Sequence, residues 1–178
     1  MLLYQLSVFV HILSAIVWVG GMLFLALVIV PTTRGLPAAE RAALFGSIGR
    51  RFRTVGWACI ALLLVTGTVN SIYRGVTWTN VLTAELWGSP FGTTLALKLG
   101  LVAILLGLSA YHDVVIGPRS VRAMTEADGA AASPKEQRVR LAEARRLRVL
   151  ASYVGRVEAI LALLVIALAI MLVRGLPF

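Results

Sequence analysis

The chain has little of what soluble enzymes use for catalysis. Charged residues make up 14% of its 178 residues, only eight are acidic, and Cys59 is the single cysteine. One cysteine excludes an internal disulfide and a cysteine-rich metal cluster. The sequence also lacks a serine–histidine–aspartate pattern, a phosphate-binding loop and a zinc-hydrolase motif. These absences argue against a hydrolytic enzyme.

Long polar stretches are also scarce, because four apolar runs fill most of the chain. They lie at about 3–30, 54–73, 92–116 and 150–173. Each is near or above the roughly 20 apolar residues that a helix needs to cross a bilayer. The runs show no wide polar stripe, which a soluble amphipathic helix would have. The sequence therefore predicts an all-α integral membrane protein, a four-transmembrane-helix up-down bundle forming one domain over residues 1–178.

Basic residues cluster in two of the predicted loops. The first loop and its flanks hold five arginines, the third loop (118–149) and its flanks hold nine basic residues, and the second loop has Arg74 alone. By the positive-inside rule, the first and third loops lie in the cytoplasm and both termini lie outside a bacterial-type inner (plasma) membrane. The net charge of +9 then indicates attraction to anionic lipids at the inner face, not binding of nucleic acid.

Local signals divide the two basic loops further. Residues 36–52 mix Ala, Leu and Arg and favour a short helix on the inner surface. A polar segment after Gly117-Pro118 is expected to be a mobile loop through Ala132. Ser133-Pro134-Lys135-Glu136 has the pattern of a helix N-cap. It predicts a basic helix that continues into the fourth span.

A few polar residues interrupt the apolar runs, and these are the candidate functional residues. His11 shares a helix face with Ser14, Trp18 and Met22, Lys98 shares one with Ser109 and His112, and Thr66 shares one with Asn70 and Tyr73. Polar side chains at membrane depth are costly and commonly functional.

Depth along each helix decides which of these groups meet. At about 1.5 Å per residue, His11 lies roughly 12 Å and Lys98 roughly 9 Å below the outer ends of their spans. His112 lies about 20 Å deeper than Lys98. We therefore expect His11 and Lys98 to share an outer layer, and His112, Met22 and Glu158 to form an inner one.

Each candidate also has a plainer interpretation. His11 is either a ligand or proton carrier, or it only donates a hydrogen bond to a neighbouring helix. Lys98 either joins the His11 layer or extends to the outer headgroups. His112 is either functional or interfacial, and Glu158 is expected to pair with Arg156 or Arg53.

Three segments carry a family resemblance. The stretch SPFGTTLALKLGLVAILLGLSAYHD (residues 89–113) resembles the third-helix pattern of CopD-type copper resistance membrane domains. HILSAIVWVGGMLF resembles their opening segment, and TGTVNS resembles their second-helix segment. HemJ-type protoporphyrinogen oxidases share a first-helix histidine, here His11, and a third-helix lysine followed by a Tyr-His pair, here Lys98 and Tyr111-His112. The resemblance implies a membrane-embedded metal centre that uses His11.

The residues and the resemblance point to different metals. A b-type haem needs one or two axial ligands between apolar helices, so the sequence favours haem b bound through His11, with Lys98, Trp18 and Asn70 around it. Copper is the alternative, with His11, His112 and Met22 as metal ligands, although soft-ligand repeats are absent. Whether the protein is an enzyme stays open, a haem-dependent oxidoreductase being the candidate.

Partners are only partly indicated by the sequence. A redox or copper-carrying partner on the outer side fits either metal, and a homo-oligomer is compatible with the small-residue helix surfaces. A third interpretation needs no metal, since four bare spans also suit an accessory subunit of a larger membrane complex.

The predicted topology has a direct test. In intact spheroplasts, the 118–149 segment should resist a protease added outside, because its basic residues place it in the cytoplasm. The same protease should cut this segment in lysed membranes. Cleavage at equal rates in both preparations would overturn the orientation.

Overall fold

The computed structural model describes residues 1–129 and 133–174, and long helices dominate them. Four are long and apolar enough to cross a membrane: Leu2–Thr32, Ala39–Tyr73, Pro90–Ala127 and Pro134–Arg174. No strand occurs in these two described stretches. The prediction of an all-α protein with four membrane-spanning helices is confirmed.

The regular helical segments have the following bounds. They are α1 (Leu2–Phe24), α2 (Val30–Thr32), α3 (Ala38–Tyr73), α4 (Ala84–Gly88), α5 (Pro90–Tyr111), α6 (Gly117–Asp128) and α7 (Pro134–Arg174). One π-helical turn, Leu25–Ile29, joins α1 to α2, and another, His112–Ile116, joins α5 to α6.

The helices are longer than a bilayer requires. The four candidate spans run from 31 to 41 residues, or roughly 45–60 Å at the helical rise. The hydrocarbon core is only about 30 Å thick. Parts of these helices must therefore project beyond it.

Two of the expected boundaries are wrong, because helices continue where a break or a loop was expected. The surface helix expected at 36–52 and the second span form one helix, α3. The mobile loop expected after Pro118 is helical as far as Asp128, in α6. Pro118 begins this helix without strain, because the first turn needs no N–H from it. Ala130–Ala132, the end of the expected loop, lie outside the described residues.

The start of α7 agrees with the expected cap. The Glu136 N–H donates to the Ser133 Oγ at 3.2 Å, and α7 then runs without a break into the fourth span. The predicted continuation of the basic helix is confirmed.

Each π-helical turn ends two residues before a proline. Ile29 precedes Pro31, and Ile116 precedes Pro118. A proline ring clashes with the carbonyl four residues earlier and cannot donate a hydrogen bond to it. Widening the preceding turn moves that carbonyl aside, and the Gly117 N–H instead bonds the His112 carbonyl, five residues back. The helix thus continues through the proline with a local change of pitch.

The residues divide into two compact units. The first contains Met1–Gly20, Gly56–Leu106 and the chain from Ile160, and the second contains Gly21–Val55 and Gly107–Ala159. In the first unit, α1 and α3 run antiparallel. The rings of Tyr4 and Tyr73 lie 5.1 Å apart, and the Ser7 hydroxyl donates to the Thr66 carbonyl at 3.4 Å.

The second unit holds most of the charge. It contains fourteen of the seventeen lysines and arginines. It also has a core of four alanines and one methionine drawn from α3, α6 and α7, namely Ala42, Ala123, Met124, Ala127 and Ala144. The Gln137 side-chain amide donates to the Ala127 carbonyl at 2.9 Å, which joins the start of α7 to the end of α6. This packing explains why a polar segment is helical.

A glycine pair on the first spanning helix tests the packing of the second unit. A Cβ at Gly21 would overlap the ring of Phe52, whereas a Cβ at Gly20 would meet no atom within 4 Å. Gly21→Ala should therefore destabilise the protein by about 1–3 kcal/mol, the usual cost of overpacking. Gly20→Ala is the matched control and should leave the thermal unfolding midpoint in detergent unchanged or slightly raised. Equal midpoints for the two variants would contradict this packing.

Candidate functional site

His11 lies against α3 in the first unit. Its Nδ1 is 2.8 Å from the Thr66 Oγ1. The neighbouring residue, Gly67, has no side chain to displace the ring, since a Cβ there would lie 3.4 Å from His11 Cε1 and 3.9 Å from Nδ1. The Cε1–Nδ1 edge of the imidazole therefore faces the Thr66-Gly67 turn.

The hydrogen bonds of Thr66 fix which nitrogen of His11 carries the proton. The Thr66 hydroxyl donates to the Leu62 carbonyl at 2.6 Å. A hydroxyl has one hydrogen, so Thr66 Oγ1 can only accept from the imidazole. This arrangement favours the His11 tautomer that carries a proton on Nδ1.

The opposite nitrogen is left as the available donor of an electron pair. The ring also interacts with the backbone of α3 at Leu63. A neutral imidazole held through Nδ1–H presents Nε2 as a lone-pair donor, which is how metal-binding histidines are commonly oriented.

Lys98 is half-buried and interacts electrostatically with His11. Arg74 acts on Lys98 in turn, while its own guanidinium donates to the Leu172 carbonyl at 2.9 Å. Glu85 is the one acidic residue in this unit's sequence, against three basic ones. Basic residues thus outnumber acidic ones in this unit, and the role of Lys98 in the His11 site stays a prediction.

Trp18 and Asn70 belong to the same unit as His11. Trp18 is buried, and its indole covers Gly56, where a Cβ would lie 3.4 Å from the ring. Asn70 follows Thr66 by one turn of α3, and its Oδ1 is buried without a hydrogen-bond partner in the described part of the chain. An unpaired buried amide oxygen is costly. Asn70 is therefore a polar group with free capacity, and its role as a ligand stays a prediction, as does that of Trp18.

A second polar cluster lies in the second unit. His112 Nδ1 is 3.5 Å from Asp113 Oδ1 and 4.0 Å from Glu158 Oε2, and Ser109 hydrogen-bonds to Glu158. The predicted pairing of Glu158 with Arg156 or Arg53 is wrong. Glu158 instead faces His112, because His112 and Ser109 project from neighbouring turns of the helix packed against it.

Metal-binding geometry separates the candidate ligands. Within residues 1–129 and 133–174, no group of three or more His, Cys, Asp or Glu side chains is arranged to hold a metal ion. His112 Nδ1 lies beside two carboxylates, and the role of His112 as a metal ligand stays a prediction. Met22 is half-buried in the second unit, and its role as a ligand stays a prediction.

Sequence reasoning did not identify the roles of two residues in these clusters. Gly67 makes room for the His11 ring, and its position directly after Thr66 was the available signal. Arg53 acts electrostatically on His112. The sequence placed this arginine only near the inner surface.

Comparison with known proteins gives a family. The CopD family, described as copper resistance protein D, matches residues 46–172. This region includes Thr66, Lys98, His112 and Glu158, and it begins after His11. An uncharacterized protein of Aquifex aeolicus (strain VF5) is 32% identical over 118 residues, covering 66% of this chain and 73% of that protein. No solved structure matches the chain. With four membrane-spanning helices and a match over more than half its length, this multi-pass membrane protein belongs to the CopD family.

Proposed function

We propose that the protein handles copper within the plasma membrane, binding the ion at His11 Nε2 as cargo. The observation that carries this proposal is the hydrogen bond from His11 Nδ1 to Thr66, which leaves Nε2 as a ligand in an apolar setting. The description of the family as copper resistance protein D supports copper as the metal.

The ligands around His11 favour passage of copper over permanent storage. Imidazole suits copper, whereas the softest ligands, thiolate and thioether, select Cu(I) most strongly. No described group of three His, Cys, Asp or Glu side chains supplements His11. An ion that crosses a membrane must bind well enough to enter and weakly enough to leave. A single oriented imidazole meets both requirements.

Lys98 adjusts this affinity. A charged amine close to His11 repels a copper cation, whereas a neutral amine offers a second nitrogen ligand. The proton on Lys98 therefore determines how strongly copper is held. Asn70 Oδ1, buried without a partner, provides a further polar atom in the same unit.

The haem b interpretation receives no support from the comparisons, because the family description names copper. We therefore propose copper, and the visible spectrum of the purified protein would reveal a haem. An accessory subunit without a metal is the other outcome that the experiment below detects.

We also propose that the second unit faces the cytoplasm. It carries fourteen of the seventeen basic residues, and basic residues are retained on the inner side. This orientation places both termini outside, where a copper-carrying partner would deliver the ion.

Replacing His11 gives the main test. Purified His11→Ala protein in lipid nanodiscs should lose the copper that the wild type retains after loading with Cu(I) under reducing conditions. Gln5→Ala changes an exposed polar residue of the same helix and is the control, with copper content expected at the wild-type level. Metal analysis and the visible spectrum measure both outcomes.

Two results would contradict this assignment. Equal copper content in His11→Ala and wild-type protein would remove His11 from the site. A Soret band in the wild type that His11→Ala abolishes would identify haem as the metal centre. A wild type that holds neither copper nor haem would favour the accessory subunit.

The hydroxyl of Thr66 gives a finer test. Thr66→Val keeps the shape of the side chain but removes the acceptor for His11 Nδ1–H, so copper affinity should fall by about 10–100-fold. Thr68→Val is the matched control, because Thr68 is exposed and its hydroxyl makes the same type of bond, to the Leu64 carbonyl at 2.9 Å. Competition with a Cu(I) chelator measures the affinity. A loss in the Thr68 variant equal to that in the Thr66 variant would contradict the orienting role.

A further inference from the structure

Glu158 is the one acidic or basic residue that is buried among the described residues, with 4% of its surface exposed. It lies in the middle of α7. Burying a carboxylate costs several kcal/mol unless it is paired or protonated. The residues that face Glu158 therefore determine what this side chain does.

The partner of Glu158 is itself able to carry a proton. Glu158 Oε2 lies 4.0 Å from His112 Nδ1, and Ser109 hydrogen-bonds to the carboxyl group. Glu158 Oε1 is buried without a hydrogen-bond partner among the described residues. Leaving that oxygen without a partner costs less in a neutral carboxylic acid than in a charged carboxylate. This arrangement accommodates the acid as well as the anion.

The remaining charges come from two helical segments. Asp113 Oδ1 lies 3.5 Å from His112 Nδ1, and Arg53 of α3 acts electrostatically on His112. Residues 21–33 of the first spanning helix include no titratable side chain. Because the charges of Arg53 and Asp113 cancel, His112 and Glu158 together are neutral when they hold one proton between them.

Access differs between the two members of the pair. The Glu158 side chain is 6% exposed and that of His112 is 28% exposed. His112 also begins the π-helical turn that precedes Pro118, and such turns are frequent at functional sites because they displace side chains from the regular helix. His112 is thus the less enclosed member of the pair.

We propose that His112 and Glu158 form a proton-exchange site that works in step with the passage of copper. The pair holds one proton either as an imidazolium with a carboxylate or as a neutral imidazole with a carboxylic acid, and both forms have the same net charge. Release of that proton leaves the pair with one negative charge. The passage of one monovalent copper ion in the opposite direction balances this release. The coupling to copper rests on the proposed function, whereas the proton site does not.

Infrared spectroscopy tests the proton site without copper. The wild type in lipid nanodiscs should show the C=O stretch of a buried carboxylic acid that disappears as the pH is raised. Glu158→Gln should lack this band, and Glu143→Gln, which changes an exposed glutamate of the same helix, should keep it. His112→Phe should change the pH at which the band disappears. A band that survives in Glu158→Gln, or no titrating band in the wild type, would overturn the proton site.

Proteoliposomes with a trapped pH dye test the coupling. Cu(I) taken up by the wild type should move protons outward, and Glu158→Gln should take up copper while its proton signal falls to that of protein-free vesicles. A proton signal retained by Glu158→Gln would overturn the coupling. Wild-type vesicles that take up no copper, with the infrared band intact, would contradict the proposed function and the coupling and leave the proton site standing.

Discussion

The hydrogen bond between His11 Nδ1 and Thr66 Oγ1 is the interaction on which the site depends. It joins α1 to α3 within the first unit, at 2.8 Å. Hydrogen bonds between membrane helices stabilise them by only about 0.6–2 kcal/mol each, so its importance does not lie in stability. Its effect is orientation, because the hydroxyl of Thr66 is already committed to the Leu62 carbonyl and forces the proton of the imidazole onto Nδ1. The lone pair at Nε2 follows from that constraint.

We propose different functions for the two histidines because their neighbours differ. His11 has a hydroxyl and a basic side chain nearby, which suits a ligand with an oriented lone pair. His112 has two carboxylates within 4.0 Å of Nδ1, which suits an imidazole that gains and loses a proton. The same residue type thus serves two kinds of chemistry, as environment commonly decides for titratable groups.

Sequence reasoning succeeded where length and spacing decide the structure. Apolar runs near or above 20 residues predicted the four spans, and counting residues along the helices placed Lys98 with His11 and Glu158 with His112. It failed where tertiary packing decides. The segment from Gly117 to Asp128 is polar enough to resemble a loop, yet it is helical because its alanines and Met124 pack against α3 and α7. The partner of Glu158 was missed for a similar reason. Helix packing places His112 beside Glu158, whereas the sequence pointed to Arg156 or Arg53.

The protonation of His11 tests the account most directly, and the chain is well suited to it because it contains only two histidines. Nitrogen NMR of ¹⁵N-histidine-labelled protein in lipid distinguishes Nδ1–H from Nε2–H, and a His112→Gln sample leaves His11 as the single signal. We expect the Nδ1–H form, with an Nε2 resonance that shifts when Cu(I) is added and a mixture of both forms in Thr66→Val. An Nε2–H form, or an Nε2 resonance indifferent to Cu(I), would contradict the account.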